Sequence, residues 1–160
     1  MRNSIKKDVF SFMLPSILVY CAGLGVCAWD LIRRQGRLFA LSTRSIVGWA
    51  LVVTGLALTF VAAGTLRRFY SPSLRVRMDH RLITNGIYRF VRHPLYTGVG
   101  MATVGILVVA SSLYGLLILL VLIPLVLNRI RIEEKMLTAE FGDSYRAYKK
   151  ATHKLIPFIY

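Results

Sequence analysis

With 56% hydrophobic residues in a chain of 160, the sequence is more apolar than soluble domains, which sit near roughly 45–50%. Its formal charge of +14 would suggest nucleic-acid binding in a soluble protein. Here the basic residues lie between and after long uncharged runs, beside membrane helices, where anionic head groups attract them, so no nucleic-acid partner is expected. Cys21 and Cys27, six apart inside one such run, have neither the spacing nor the setting of a disulfide framework or zinc site, and no metal is expected.

The first apolar run, Phe10 to Trp29, holds twenty residues without a charge, enough to cross a hydrocarbon core of about 30 Å as a helix. It is longer than a signal-peptide core and no small-residue cleavage site follows, so it is read as a retained transmembrane helix. The second run, Ser45 to Leu66, holds twenty-two. The loop after it carries two turn signals, Ser71-Pro72 and Asn85-Gly86. Pro94 to Asn128 then gives thirty-five uncharged residues, too many for one ordinary span and enough for two short ones. With four spans and both termini inside, seventeen of the twenty-one Lys and Arg residues face the cytoplasm, whereas three spans split them ten to eleven. Four spans are therefore expected, with a reversal near Ser111 to Gly115. Gly98 and Ala102 are expected to permit close helix contact, and Pro124 to bend the fourth helix. An amphipathic helical extension follows from Arg129 to about Glu140, with a break at Phe141-Gly142 and a short helix carrying Tyr145 and Tyr148. The expected fold is an all-α integral membrane protein of about four transmembrane helices, including a C-terminal helical hairpin, with a cytoplasmic loop and tail.

Two clusters carry candidate chemistry. The first runs from Gly86 through Tyr88, Arg92, His93, Pro94 and Tyr96 to Gly98. Proline disfavours helix in the residue before it and suits a first turn, so His93 should stand near the N-cap of the third span. A helix N-terminus favours an anion, with Arg92, His93 and Tyr96 adding donors. Taken alone, Arg, His and Tyr at a membrane boundary are also an ordinary interfacial belt. The second cluster is Arg129-Ile130-Arg131-Ile132-Glu133-Glu134. Arg129 and Glu133 have the spacing of a helical ion pair. Glu133 and Glu134 are the only acidic residues between Asp79 and Glu140. The hairpin brings this cluster back to the membrane surface where His93 lies, making neighbours of groups separated by more than thirty apolar residues.

These elements, with Phe141-Gly142-Asp143-Ser144-Tyr145 to Lys150 and Leu155-Ile156-Pro157-Phe158-Ile159, resemble the isoprenylcysteine carboxyl methyltransferase family and the related phospholipid methyltransferases. The likeness covers roughly Leu82 to Ile159. Within it, Arg-His-Pro-x-Tyr-x-Gly, a hydrophobic hairpin, a paired glutamate and the tail follow in order. The two apolar runs give two N-terminal transmembrane helices in 1–66, and the resemblance implies a methyltransferase core in 67–160. It implies S-adenosylmethionine as cofactor, held without a Rossmann domain around His93, Tyr96, Glu133 or Glu134 and Tyr88, with Pro157 in a tail closing over the adenosine. Membrane lipids and a lipophilic small-molecule or prenylated substrate are the implied partners, with the active site and both termini cytoplasmic.

A carboxylate acceptor needs desolvation and a cationic clamp rather than a general base. Arg129 is the first candidate and Arg92 the second. An amine acceptor, as in phospholipid N-methylation, must first lose a proton. The lipid part of either is expected to enter between the third or fourth helix and its neighbours. A non-enzymatic membrane scaffold is the alternative of another class, and a membrane reductase with a related C-terminal fold has no nicotinamide-site signal in the sequence.

Overall fold

A computed structural model of the chain describes residues 2–33, 42–66 and 82–156. Four α-helices account for most of them: α1 (Arg2–Arg33), α2 (Thr43–Leu66), α3 (Pro94–Ala110) and α4 (Leu113–Ala151), with a 3₁₀ turn at Gly86–Arg89 before α3. The helices of α1, α2 and α4 are long and apolar enough to cross a membrane, and α3, at 17 residues, is the short member. The outward faces are apolar: Phe60 is 76% exposed and Val53 65%. Such contiguous exposure suits a hydrocarbon surround rather than water. Hydroxyls inside these helices are satisfied locally. Thr59 donates to Gly55 O at 2.8 Å and Thr103 to Val99 O at 2.8 Å, as the absence of water in a bilayer requires.

The helices run antiparallel. At one end, Ser112 Oγ donates to Asp30 Oδ2 at 2.5 Å, joining the end of α1 to the α3–α4 reversal. At the other, the Tyr88 hydroxyl donates to Ala62 O, near the end of α2, and Tyr96 reaches Glu133 on α4. The reversal falls where the sequence places it and takes two residues. Ser111 adopts a left-handed conformation (φ 50°) and ends α3. Ser112 caps α4 by accepting from Gly115 N at 3.0 Å.

The packing within the hairpin differs from a simple pairing of its two arms. α3 lies along α2, α4 lies along α1, and α3 and α4 touch over little of their length. Small residues decide this. A Cβ on Gly55 would stand 2.5 Å from both Ala102 N and Gly98 O, and one on Gly105 2.6 Å from Gly48 O. Backbones approach that closely only where side chains are absent. This confirms the close contact expected of Gly98 and Ala102 and supplies its partner, α2. On the other pair, a Cβ on Gly115 would meet Cys27 Sγ at 2.6 Å.

α4 is unbroken over residues 113–141 and so runs about 44 Å at ~1.5 Å per residue before its kink, well beyond a hydrocarbon core of about 30 Å. Its uncharged part ends at Asn128. The segment from Arg129 onward therefore lies outside the membrane-spanning part, as the amphipathic pattern predicts. Pro124 lies within the spanning part. The predicted break is at Gly142, whose backbone (φ 54°, ψ −124°) leaves the helical region. The turn signal at Asn85-Gly86 also forms, with Gly86 at φ 59°. Ser71-Pro72 and Pro157 to Ile159 lie outside the described residues.

Candidate active site at the open end of the helical hairpin

Pro94 occupies the first turn of α3 and His93 its N-cap position, the arrangement predicted from proline's missing N–H and fixed φ. This sets Arg92 and His93 just before the helix and Tyr96 in its first turn. From the other arm, Arg129, Glu133 and Glu134 lie within two turns of α4. The structure brings the two clusters into direct contact.

The group nearest the apolar run is a triangle. The Tyr96 hydroxyl donates to Glu133 Oε1 at 2.6 Å, Arg129 Nε donates to the Tyr96 oxygen at 2.5 Å, and Arg129 Nε meets Glu133 Oε1 at 3.1 Å. The Arg129–Glu133 helical pair read from the sequence is thus present and recruits Tyr96. Glu134 lies on the far side of the same turn. Arg92 Nε donates to its Oε1 at 2.9 Å and Lys149 Nζ lies 3.2 Å from its Oε2. His93 stands between the carboxylates, with Nδ1 3.8 Å from Glu133 Oε2 and Nε2 3.5 Å from Glu134 Oε1, both longer than ordinary hydrogen bonds. Its ring centroid is 5.9 Å from that of Tyr96. Burial opposes ionisation of Glu134, but His93, Arg92 and Lys149 together outweigh it and hold the carboxyl well below the usual carboxylate range.

The tail completes this arrangement. Residues 152–154 lie parallel to residues 90–93. Backbone bonds run from Arg92 N to His153 O (2.8 Å), from His93 N to Lys154 O (3.1 Å) and from His153 N to Phe90 O (3.1 Å). Thr97 Oγ1 donates to Leu155 O at 2.7 Å, and the Tyr148 hydroxyl to Tyr88 O at 2.7 Å. Arg92 Nη1 donates to the carbonyls of Lys149 (3.0 Å) and Thr152. Arg92 therefore spends two nitrogens on Glu134 and the tail. Tyr88 is buried and directs its hydroxyl to Ala62 on α2; its link to the tail is through its carbonyl. The helix-entrance amide of His93, expected as an anion donor, is taken by Lys154 O. Pro157 lies outside the described residues.

Sequence reasoning missed Lys149, Thr97 and Thr152. The Phe141 to Lys150 element marked the tail but carried no sign of which of its residues touches a glutamate. Two buried side-chain polar atoms lack a hydrogen-bond partner among the described residues, His93 Nε2 and the Tyr145 hydroxyl. Buried polar groups are ordinarily satisfied, and both of these belong to segments that meet at Glu134. Among the described residues three cationic side chains, Arg92, Arg129 and Lys149, face two carboxylates, a surplus of one positive charge.

Comparison with known proteins follows the same elements. The profile of the isoprenylcysteine carboxyl methyltransferase (ICMT) family matches residues 48–139. A probable protein-S-isoprenylcysteine O-methyltransferase of Oryza sativa subsp. indica is 35% identical over 118 residues, covering 72% of this chain and 62% of that protein. The protein-S-isoprenylcysteine O-methyltransferase of Schizosaccharomyces pombe is 42% identical over 82 residues, covering 51% and 35%. Among solved structures, the eukaryotic intramembrane Ras methyltransferase ICMT superimposes with a TM-score of 0.73 at 25% identity, covering 89% of this chain and 52% of that one. The chain thus spans less than two thirds of the length of each of these proteins. The apolar helices and this shared fold make it an integral membrane protein.

Proposed function

Since the chain belongs to the isoprenylcysteine carboxyl methyltransferase family, we propose that it transfers a methyl group from S-adenosylmethionine to the carboxylate of a lipophilic, isoprenylcysteine-like acceptor at the cytoplasmic face of the membrane. The observation that carries this reading is the surplus positive charge of the buried cluster, which suits an anionic acceptor better than an amine. In this reading residues 67–160 form the methyltransferase core, and the two helices of residues 1–66 frame it.

The residues fit the donor. Glu133 and Glu134 suit its ammonium. His93 Nε2, which makes no hydrogen bond to the described residues, offers a further polar contact, and Tyr96 completes the donor's surroundings. The donor supplies a methyl group already activated on a sulfonium sulfur. The protein's contribution is then alignment and exclusion of water. Alignment in well-oriented systems contributes roughly 7–11 kcal/mol.

Arg129, the first charged residue after the apolar run, is placed to clamp the acceptor carboxylate while its lipid portion stays in the hydrocarbon. Tyr96 and Glu133 hold the guanidinium through Nε, fixing its plane. Arg92, tied to Glu134 and two tail carbonyls, positions the tail rather than touching the acceptor. The ionised acceptor needs no proton removed at neutral pH, so no side chain is required as a base.

The test is methyl incorporation by the purified protein in detergent, offering an S-farnesylcysteine carboxylate and phosphatidylethanolamine separately. Labelling of the first and not the second is expected. Labelling of phosphatidylethanolamine alone would assign the amine chemistry instead. Failure to label either, with no binding of S-adenosylhomocysteine, would leave a membrane scaffold.

A further inference from the structure

Tyr145 lies on the short helix after Gly142, outside the membrane-spanning part of the chain. Its side chain is 1% exposed, and its hydroxyl has no hydrogen-bond partner among the described residues. Leaving a buried hydroxyl unsatisfied is unfavourable, so a fold that retains one invites a reason. Four residues on, one helical turn along the same face, Lys149 reaches Glu134 at 3.2 Å. Tyr148, whose ring lies 5.9 Å from that of Tyr145, anchors the helix through its bond to Tyr88 O. The Tyr145 face of this helix is thus clamped on both sides against the Glu134 end of the cluster. The hydroxyl stays protonated, and so remains a donor, because burial and then the neighbouring Glu134 charge raise its pKa above the ordinary tyrosine value.

The cluster has two ends of different character. Arg129 and Tyr96 adjoin the apolar run and suit the lipophilic acceptor. Glu134, Lys149 and Tyr145 adjoin the water-exposed tail and suit a polar, water-soluble ligand. Resting on the methyl-donor reading above, we propose that Tyr145 is a donor-contacting residue, its buried hydroxyl bonding a polar group of the adenosyl ligand at the tail end of the site.

The proposal makes two opposite demands on one variant. Tyr145→Phe removes a hydroxyl that makes no bond to the described residues and keeps the ring. The ligand-free protein should therefore unfold in detergent at the same temperature as wild type or a higher one. The same variant should bind S-adenosylhomocysteine about 2- to 13-fold more weakly by calorimetry, the equivalent of one hydrogen bond of ~0.5–1.5 kcal/mol. Equal affinity in wild type and variant would overturn the proposal and leave the hydroxyl to a bound water. A lower unfolding temperature, or failure of the variant to fold, would overturn it too, by making the hydroxyl part of the fold. Absence of binding by wild type would instead remove the donor site itself, and this assignment with it.

Discussion

Replacing Glu134 with Gln should detach the tail, and the magnitude follows from its contacts. Arg92 and Glu134 side chains are each 9% exposed and bond at 2.9 Å. Full truncation of one partner in such a buried pair costs about 3–5 kcal/mol. Glutamine keeps one oxygen for Arg92 Nε, so the loss is smaller. It is the difference between a hydrogen bond joining two charged groups and one with a neutral acceptor, about 1–2 kcal/mol. Lys149 is 39% exposed, and losing its ionic partner adds roughly 0–1 kcal/mol. Together the docked tail loses about 1–3 kcal/mol, a shift of about 5- to 150-fold in the docking equilibrium. Glu133→Gln is the contrast, because Glu133 bonds Tyr96 and Arg129 and meets His93, with no tail residue among its contacts to the described residues. Limited trypsin cleavage at Lys149 and Lys150 reads this equilibrium directly when opening and closing outpace cleavage. Cleavage of the Glu134→Gln protein should accelerate by that factor, while the Glu133→Gln protein stays near wild type. Equal protection of all three proteins, or faster cleavage of the Glu133 variant, would refute the latch.

The pH response of the same latch has a definite sign. The Glu134 carboxyl is depressed in the folded protein, so its contribution is present above the ordinary value of 4.5 and is lost only as the pH falls through the lower folded-state value. Tail protection, followed by hydrogen exchange of the Tyr145 to Ala151 amides, should stay flat from neutral pH down to 4.5, and a midpoint within that interval would contradict the assigned contacts. Gly55→Ala should destabilise the protein in detergent by about 1–3 kcal/mol, because the new methyl meets Ala102 and Gly98 backbone that has no rotamer to relieve the clash. Gly64→Ala, with nothing within 4 Å of its new Cβ, should be neutral or slightly stabilising, and equal effects would discount the α2–α3 seam. Arg129→Ala should lower kcat/KM for the prenylcysteine acceptor by roughly 10- to 150-fold, the worth of a charged hydrogen bond of ~1.5–3 kcal/mol. An unchanged value would remove Arg129 from acceptor binding.

Much of the site was legible before any coordinates. His93-Pro94 announced a helix start because proline constrains both its own φ and the conformation of the residue before it. Ser111 to Gly115 marked the reversal because an even number of crossings was needed to place most basic residues on one side. Gly142 marked the break in α4, and Gly98 with Ala102 marked a close contact. The partner in that contact was not legible. A small-residue face shows that something packs closely without saying which helix does, and the hairpin arms turned out to prefer α2 and α1 over one another. Arg92 was equally ambiguous. Its type and place suited an anion clamp, yet the structure gives its Nε and Nη1 to Glu134 and to tail carbonyls up to sixty residues away.

Run lengths and crossing parity were sufficient to place the imidazole and the two carboxylates at one membrane face, because reversals of direction follow from counting and survive any detail of packing. The division of labour inside the cluster depended on coordinates. Which cation meets Glu133 and which meets Glu134, and that the buried Tyr145 hydroxyl bonds none of the described residues, are settled by separations of a few ångströms. Those separations depend on a backbone clasp between remote segments that no local pattern of residues encodes.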